Sequence, residues 1–340
     1  MQVAIIGAGS FGTVLADIAA HNECSVSIYA RRPEMVHAIN AFHRNPQYHP
    51  ELELHESIQA SSDLEAVVAD ADLVLLSVPS KSMDSVCQSL SSVLASDVPL
   101  LSTTKGIRAN GFKLMSAVIS ERLPNNPVGV LSGPNLAHEI ANRHLTASVV
   151  ASASPIVRQL ARDAFATKYF RLYSSEDLVS VELGGALKNI YAIAAGLADG
   201  LGVGQNTKAL LITRALAEMS RLSAHMGGNP LSFLGLAGVG DLYVTSVSPL
   251  SRNFRVGRAL ADGHTLESAE KNLGQVAEGV NTLRLVYEQC QRDEVAMPIL
   301  SALYDVIFGG KPVRQTALHM MQAAHTSDVE FLMPGANPAL

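Results

Sequence analysis

The first half of the chain alternates short apolar runs with stretches that are apolar on one face. QVAIIGAG (residues 2–9) and DLVLLSVPS (residues 72–80) are apolar runs that end in turn residues, which is typical of buried strands. FGTVLADIAAH (residues 11–21) and DLEAVVADA (residues 63–71) have helical spacing instead. Further strands are predicted in CSVSIYARR, VPLLSTTKG, PVGVLSGPN and LTASVVAS. This alternation predicts a parallel sheet with helices on both faces, in a doubly wound α/β domain over residues 1–175.

The pattern changes at residue 176 to long segments rich in Ala and Leu. KALLITRALAEMSRLSAHMGG (residues 208–228) and GVNTLRLVYEQCQRDEV (residues 279–295) both have helical spacing. We therefore expect an all-α domain over residues 176–333. The last segment, residues 334–340, contains proline and glycine, and we predict a loose tail there.

Composition narrows the classes of function. The chain has 25 Lys and Arg against 31 Asp and Glu, and its net charge of −6 argues against binding to nucleic acid. Its three cysteines are widely spaced without a C-x-x-C pair, so we expect reduced thiols in a cytoplasmic protein. The apolar stretch 183–204 is interrupted by Lys188 and Asp199, which argues against stable insertion into a membrane.

The first strand is followed directly by GAGSFG, which matches G-x-G-x-x-G at Gly7, Gly9 and Gly12. The first glycine permits a tight turn, the second lets a pyrophosphate approach the backbone, and the third allows close packing of helix on strand. A plain tight turn is the alternative. The position between an apolar strand and a helix favours a dinucleotide site in a Rossmann-type domain.

The second predicted strand ends in YARR, with Arg31 and Arg32 where an acidic residue would bind a ribose 2′-hydroxyl. Two guanidinium groups at this place suit a 2′-phosphate, so we expect NADP to be preferred over NAD. The alternative is a pair of solvated arginines after a strand.

A single lysine, Lys188, lies within the apolar segment ELGGALKNIYAIAAG (residues 182–196). Burial of an unpaired ammonium is costly, so such a lysine is usually paired or functional. The alternative is a side chain that reaches the surface. Its small Ala and Gly neighbours leave room beside the helix and favour acid–base chemistry.

Five motifs carry a family resemblance, namely SGPN, ELGGALKN, GVGDL, SPLSRN and VAEG, in that order along the chain. With them, the chain from residue 1 to about residue 333 resembles the bacterial NAD(P)-dependent glycerol-3-phosphate dehydrogenase family. The resemblance implies reversible hydride transfer between NAD(P)H and dihydroxyacetone phosphate. The product, sn-glycerol 3-phosphate, would supply phospholipid synthesis.

The resemblance also implies roles for individual residues. Lys188 matches the catalytic lysine, which contacts the substrate and donates a proton to its carbonyl oxygen during reduction. Residues implied at the substrate are Lys105, Gly133, Asn135, Asp241, Ser251, Arg252 and Asn253. Residues implied at the cofactor, beside the three glycines, are Ser10, Phe11, Arg31, Arg32, Tyr48, Lys105, Ala137, Arg252, Val276 and Glu278.

Physical chemistry agrees with the implied phosphate site. Ser251, Arg252 and Asn253 stand where SPLSRNFRVGRAL opens a helix, and a helix N-terminus favours a phosphate group. N-capping by Ser251 is a simpler explanation, and the two are compatible. Asp241 would orient the lysine ammonium by hydrogen bonding, although an aspartate after glycine is also a common turn residue.

Two residues depart from the family pattern, since Phe11 replaces a common Trp and Asn135 replaces a more usual Ser. Asn135 leaves open the alternative that the protein is a related dehydrogenase acting on another small phosphorylated or carboxylated ketone. A non-catalytic dinucleotide sensor is the other alternative, but the intact set of Lys105, Lys188 and Asp241 argues against it. We expect no metal site, because HEIANRH lacks the H-E-x-x-H spacing. The long apolar helices favour a homodimer.

Overall fold

The computed structural model describes residues 1–108, 111–273 and 278–321. Its strands are β1 Gln2–Ile6, β2 Ser25–Tyr29, β3 Arg44–Asn45, β4 His49–Glu53, β5 Gln59–Ser61, β6 Leu73–Leu76, β7 Leu100–Ser102, β8 Ile107–Arg108, β9 Lys113–Leu114, β10 Val128–Ser132, β11 Thr146–Ala151 and β12 Phe170–Ser175. The helices of the first part are α1 Ser10–His21, α2 Pro33–Phe42, α3 Leu64–Val68, α4 Met83–Leu90, α5 Met115–Arg122, α6 Ala137–Ala141 and α7 Pro155–Phe165. Those that follow are α8 Leu178–Gly200, α9 Gln205–His225, α10 Asp241–Val247, α11 Arg252–Ala261, α12 Leu266–Leu273, α13 Glu278–Arg292, α14 Pro298–Ile307 and α15 Val313–Met321.

Eight of the strands form one sheet in the order β12-β11-β10-β7-β6-β1-β2-β5. From β5 to β10 these are the third, second, first, fourth, fifth and sixth strands of the sheet, and they run parallel. Such an order reverses its direction between β1 and β6. Ligands bind at this switch point in doubly wound sheets, at the carboxyl ends of the strands.

The sheet is covered on both faces because successive residues of a strand point to opposite sides. Val3 and Ile5 of β1 belong to one core, together with buried residues of α1, α2 and α7. Ala4 and Ile6 belong to a second core, with residues of α3, α4 and α5. The predicted doubly wound α/β domain is therefore confirmed.

The expectation of a wholly parallel sheet is wrong at one edge, where β11 runs antiparallel to β10. The connection between them contains only α6, a helix of five residues. A helix of this length rises about 8 Å, which is too short to run back along a strand and start a parallel crossover. The chain therefore turns at the carboxyl end of β10, and β12 continues parallel to β11.

The contacts divide the chain into two compact units, Met1–Ala186 and Leu187–Leu340. The division falls within α8, whereas the sequence predicts a boundary at residue 175, just before this helix. The described residues of the second unit form helices without strands, so the predicted all-α part is confirmed. The predicted loose tail at 334–340 lies outside the described residues.

Helix α8 has 23 residues and is, within the described ranges, long and apolar enough by composition to cross a membrane. However, 89% of its most apolar window is buried inside the protein, as expected for a core helix. Near its start, the buried carboxylate of Glu182 accepts hydrogen bonds from the backbone N–H of Ser116, at 3.0 Å, and from the Ser116 hydroxyl. Glu182 thereby caps the first turn of α5.

A second buried carboxylate lies within the second unit. Glu218 of α9 accepts a hydrogen bond from the Tyr191 hydroxyl at 3.0 Å and from the backbone N–H of Leu300 at 3.2 Å. It also accepts from the N–H of Ile299, so it caps α14. Burial raises the pKa of Glu218 to about 7, although these hydrogen bonds oppose the shift. Glu218 therefore ties α8, α9 and α14 together.

Candidate functional site

The glycine loop joins β1 to α1 at the switch point of the sheet. Gly7 has φ +116°, and a Cβ there would overlap the carbonyl oxygen of Ser77, whereas a Cβ at Gly12 would overlap the carbonyl oxygen of Gly7. Gly9 is different, because a Cβ there would meet no protein atom within 4 Å. The protein itself thus requires two of the three glycines, and the third leaves open space at the start of a helix. This is the space that a pyrophosphate needs.

A hairpin that sequence reasoning missed supports this loop. Asn45 Nδ2 of β3 donates to the Ala8 carbonyl oxygen at 3.1 Å and to Thr13 Oγ1 at 2.7 Å. His49 Nε2 of β4 lies 2.9 Å from Ser10 Oγ and 3.0 Å from the Ser10 carbonyl oxygen. Burial lowers the pKa of His49, which favours the neutral imidazole beside the loop.

The same hairpin reaches the residues predicted to read the ribose. Arg31 and Arg32 follow β2 and are both exposed, with Arg32 at the N-cap of α2. The Arg32 guanidinium donates to Gln47 Oε1. Tyr48, the next residue of the hairpin, is 41% exposed. Arg32 and Tyr48 thus lie near one another at the end of β2, with two guanidinium groups facing solvent.

Phe11 and Ala137 are half-buried and pack against the core that contains α1. Ala137 begins α6, and α6 packs against α1. The structure therefore brings the loop after β10 close to the helix that follows the glycine loop.

The predicted substrate loop lies at the carboxyl end of β10. Gly133 has φ +137°, and its carbonyl oxygen accepts a hydrogen bond from Lys105 Nζ at 3.3 Å. The Asn135 side chain is fixed through its Oδ1, which accepts from the Ser148 hydroxyl. Lys105 and the loop that contains Gly133 and Asn135 therefore lie together within the first unit.

Lys188 lies on α8 and is 9% exposed. Its Nζ donates to Asp241 Oδ1 at 2.5 Å and to Thr245 Oγ1 at 2.7 Å. Asp241, the first residue of α10, is completely buried. The ammonium is thus paired inside the protein, and the alternative that it reaches the surface is wrong. Thr245 was missed from the sequence, although its position four residues after Asp241 on one helix face was a usable signal.

The hydroxyl of Thr245 has a fixed direction. It donates at 2.7 Å to the carbonyl oxygen of Asp241, which lies four positions earlier on the same helix. Its proton is therefore engaged with the backbone, and a lone pair faces the ammonium of Lys188. Asp241 and Thr245 together hold the amine in one position.

Helix α11 crosses α8 at very short range. A Cβ at Gly196 would overlap the carbonyl oxygen of Phe254, and one at Gly257 would overlap that of Ile193. The two helix backbones can approach this closely only because both residues are glycine. This contact fixes the start of α11, the predicted phosphate site, on the helix that carries Lys188.

At the start of α11, Ser251 is the N-cap and accepts from the backbone N–H of Phe254 at 3.3 Å. The predicted N-capping is therefore confirmed. Asn253 is buried, and its Oδ1 accepts from the N–H of Gly279 at 3.1 Å. Arg252 and Glu278 are exposed at the starts of α11 and α13. Val276 lies outside the described residues.

Sheet order and glycine loop together define the class of the first unit, a doubly wound dinucleotide-binding domain, to which a helical second unit is joined. Comparison with known proteins narrows the class to one family. Residues 2–157 match the N-terminal model of NAD-dependent glycerol-3-phosphate dehydrogenase, and residues 177–318 match its C-terminal model. The chain belongs to this family, as the sequence motifs predict.

Similar proteins match over nearly the whole chain. A glycerol-3-phosphate dehydrogenase [NAD(P)+] of Acinetobacter baumannii (strain SDF) is 48% identical over 98% of this chain and 93% of its own length. The protein of the same description from Alcanivorax borkumensis is 44% identical over 97% of this chain and 96% of its own length. The crystal structure of glycerol-3-phosphate dehydrogenase from Coxiella burnetii is 32% identical, with a TM-score of 0.88 over 95% of this chain and 99% of that one.

Proposed function

We propose that this protein is an NAD(P)-dependent sn-glycerol-3-phosphate dehydrogenase that interconverts dihydroxyacetone phosphate and sn-glycerol 3-phosphate. The observation that carries the proposal is the buried group of Lys188, Asp241 and Thr245 in a member of this family. A sensor that only binds a dinucleotide has no need of a buried ammonium with two fixed partners. The family membership and this group therefore favour catalysis.

Lys188 is the acid–base group of the proposed reaction. A dinucleotide held at the glycine loop would supply the hydride for the carbonyl carbon of the substrate. Negative charge then develops on the carbonyl oxygen, and the nearby ammonium stabilises it and donates a proton to it. In oxidation the neutral amine accepts the hydroxyl proton. Asp241 Oδ1 and Thr245 Oγ1 keep the amine oriented during both reduction and oxidation.

The substrate phosphate requires cations and hydrogen-bond donors. We assign Arg252 to it, with the open start of α11, because a helix N-terminus and a guanidinium both favour a phosphate dianion. Ser251 and Asn253 shape this start through their hydrogen bonds to Phe254 and Gly279. Lys105, Gly133 and Asn135 of the first unit are also assigned to the substrate.

We assign the dinucleotide to the glycine loop and the adjoining hairpin. The open space at Gly9 fits a pyrophosphate, and the geometry at Gly7 and Gly12 keeps the loop in this shape. Arg31 and Arg32 suit a 2′-phosphate, which supports a preference for NADP over NAD. Further cofactor contacts are assigned to Ser10, Phe11, Tyr48, Lys105, Ala137, Arg252, Val276 and Glu278.

The cofactor preference is tested by replacing both arginines with alanine. We expect the KM for NADPH to rise at least about tenfold, while the KM for NADH changes little, because only NADPH presents the extra phosphate. The same substitution at exposed Arg171 of β12 is the control. Equal changes in both KM values would show that the arginines do not read the 2′-phosphate.

Lys188→Ala tests the proposed function itself. Turnover of dihydroxyacetone phosphate should fall by about 10² to 10⁴, while NADPH binding measured by fluorescence stays the same. Lys208→Ala is a matched control, because Lys208 is also ion-paired, at 2.6 Å from Asp199. Normal turnover by Lys188→Ala would refute the assigned role. A panel with other phosphorylated or carboxylated ketones separates the alternative substrates, which Asn135 keeps in consideration.

The domain assignment of residues 1–175, 176–333 and 334–340 is part of the proposal, and limited proteolysis tests it. A start of the second domain near residue 176 has support from the C-terminal family model, which begins at residue 177. We also propose a cytoplasmic location, which the three buried free cysteines support, and a role in phospholipid synthesis. Fractionation and depletion of the enzyme test these two points.

We propose that the protein is a homodimer. Its second unit exposes Leu234 at 75%, Tyr243 at 60% and Leu250 at 61%. The sequence from 226 to 251 contains one charged residue, Asp241, which is buried. An uncharged segment with exposed apolar side chains can face a copy of itself without charge repulsion. Light scattering should give twice the chain mass, and Tyr243→Glu should give a monomer. A monomeric wild-type protein contradicts the proposal.

A further inference from the structure

Two buried hydrogen-bond donors beside the substrate loop have no partner among the described residues. They are the hydroxyl of Ser132, the last residue of β10, and Nδ2 of Asn135. Buried polar groups in folded proteins are nearly always paired. Two unpaired donors within four residues therefore indicate a ligand that brings oxygen acceptors to this place.

The neighbouring strand fixes the orientation of the Asn135 amide. Ser132 pairs with Val149 of β11, so Ser148 lies beside Gly133, where the chain turns. Ser148 is completely buried, and its hydroxyl donates to Asn135 Oδ1. Because this bond holds the oxygen of the amide, Nδ2 faces away from Ser148 as a donor. Ser148 thus decides which end of the amide is presented to a ligand.

Lys105 lies beside the first of these donors. A Cβ at Gly185 would be 2.9 Å from Ser132 Oγ and 3.3 Å from Lys105 Cγ, so both side chains flank the same glycine. Lys105 Nζ also donates to the carbonyl oxygen of Gly133. The cluster therefore combines one charged donor with two neutral donors.

We propose that Ser132 and Asn135 bind the free hydroxyl group of the ketose phosphate, with Ser148 as a positioning residue. This inference rests on the proposed function. The substrate has three kinds of oxygen: the phosphate dianion requires cations, and the ketone oxygen takes its proton from Lys188. The remaining oxygen is the neutral terminal hydroxyl, which matches two neutral donors.

A site of this kind discriminates strongly against a ligand without the hydroxyl, because its buried donors then stay unpaired. The probe is acetol phosphate, which is dihydroxyacetone phosphate with a methyl group in place of the hydroxymethyl group. We expect the wild-type kcat/KM for dihydroxyacetone phosphate to exceed that for acetol phosphate by at least about 10³. The ketone and the phosphate are the same in both compounds, so the ratio reports on the hydroxyl alone.

Three variants test the residues. Ser132→Ala and Asn135→Ala should each lower kcat/KM for dihydroxyacetone phosphate by about 10- to 100-fold and leave the value for acetol phosphate within about threefold. Ser148→Ala should reduce the ratio of kcat/KM for dihydroxyacetone phosphate to that for acetol phosphate about tenfold, and Ser148→Thr, which keeps the hydroxyl, should restore this ratio. Ser175→Ala is the control, because Ser175 also ends a strand of this sheet and its hydroxyl accepts from the Asp177 N–H at 3.1 Å.

The outcomes are distinguishable. The inference is overturned if the variants lose kcat/KM equally on both ketones, or if the wild-type ratio of the two values is near one. The proposed function still stands in that case, provided that the wild-type protein turns over dihydroxyacetone phosphate normally. A wild-type protein inactive on that ketone overturns the proposed function and this inference with it. A melting curve for each variant identifies any that fails to fold, and Ser132 and Asn135 provide two independent variants.

Discussion

The buried carboxyl group of Glu182 predicts a specific dependence of stability on pH. Glu182 is 3% exposed and accepts two hydrogen bonds from Ser116. Burial raises its pKa from 4.5 to about 7, although the hydrogen bonds from Ser116 oppose the shift. The perturbation is Glu182→Gln, which keeps the size and the acceptor oxygen of the side chain and removes its titration.

The sign follows from the protons bound in each state. Below pH 4.5 the carboxyl is protonated in both the folded and the unfolded chain, so the stabilising contribution is fully present. Between 4.5 and about 7 the unfolded chain ionises first, so this contribution declines as the pH rises through the folded pKa. A rise of the pKa from 4.5 to about 7 corresponds to about 3 kcal/mol, since each tenfold change in the acid dissociation constant is about 1.4 kcal/mol.

Urea unfolding followed by circular dichroism at pH 5 and pH 8 measures the pH-dependent contribution of Glu182 to the free energy of unfolding. The free energy of unfolding of Glu182→Gln, relative to wild type, should increase by roughly 2 to 3 kcal/mol between the two pH values. A constant offset from the changed hydrogen bonds cancels in this comparison. The control is Glu176→Gln, because the side chain of Glu176 is 80% exposed and stays hydrated in both states.

The reasoning would be refuted if the free energy of unfolding of Glu182→Gln differed from that of wild type by the same amount at pH 5 and at pH 8. That result would mean that the folded protein ionises Glu182 as readily as the unfolded chain does. An increase in the Glu176 control would point to a general effect of net charge instead. Glu218 gives an independent repeat, because burial raises its pKa to about 7 as well.

Three further substitutions test the site. Asp241→Asn leaves the Lys188 ammonium buried without its carboxylate. The free energy of unfolding from thermal melts should fall by about 3 to 5 kcal/mol, and turnover should fall as well. Unchanged stability would contradict the ion pair. Gly9 has φ −80°, and a Cβ there would meet no protein atom within 4 Å, so Gly9→Ala should leave the melting temperature unchanged. Its methyl group would occupy the space assigned to the pyrophosphate, so the Kd for NADPH should rise at least about tenfold. Gly257→Ala should destabilise the protein by about 1 to 3 kcal/mol, because the new methyl group overlaps the Ile193 carbonyl, and a neutral result in urea unfolding would contradict the close helix crossing.

The features that the sequence predicted correctly are local ones. The glycine loop has a fixed spacing after a strand, and the structure shows the predicted tight turn at Gly7 and the predicted close packing at Gly12. Lys188 was identified because an ammonium in an apolar helix needs a partner, and Asp241 was its predicted partner. The glycine loop and Lys188 could each be found within a few adjacent residues, whereas Asp241 lies 53 positions from Lys188 and was predicted from the family resemblance.

The features that were missed depend on pairs far apart in the sequence. His49 contacts Ser10 across 39 positions, and Asn45 contacts Ala8 across 37, through a hairpin with no strong strand pattern. Ser148 meets Asn135 because β11 turns back against β10, and the pattern of apolar runs does not distinguish this direction from a parallel one. Strand register and direction decide these contacts, and neither can be read from one segment alone.

The composition of α8 now has a physical explanation. Glycine in the interior of a helix costs about 1 kcal/mol relative to alanine, so a long core helix would be more stable without it. Gly185 leaves room for Ser132 and the stem of Lys105, and Gly196 lets the backbone of α11 approach. At each of these two positions the close packing favours glycine in spite of its lower helix propensity.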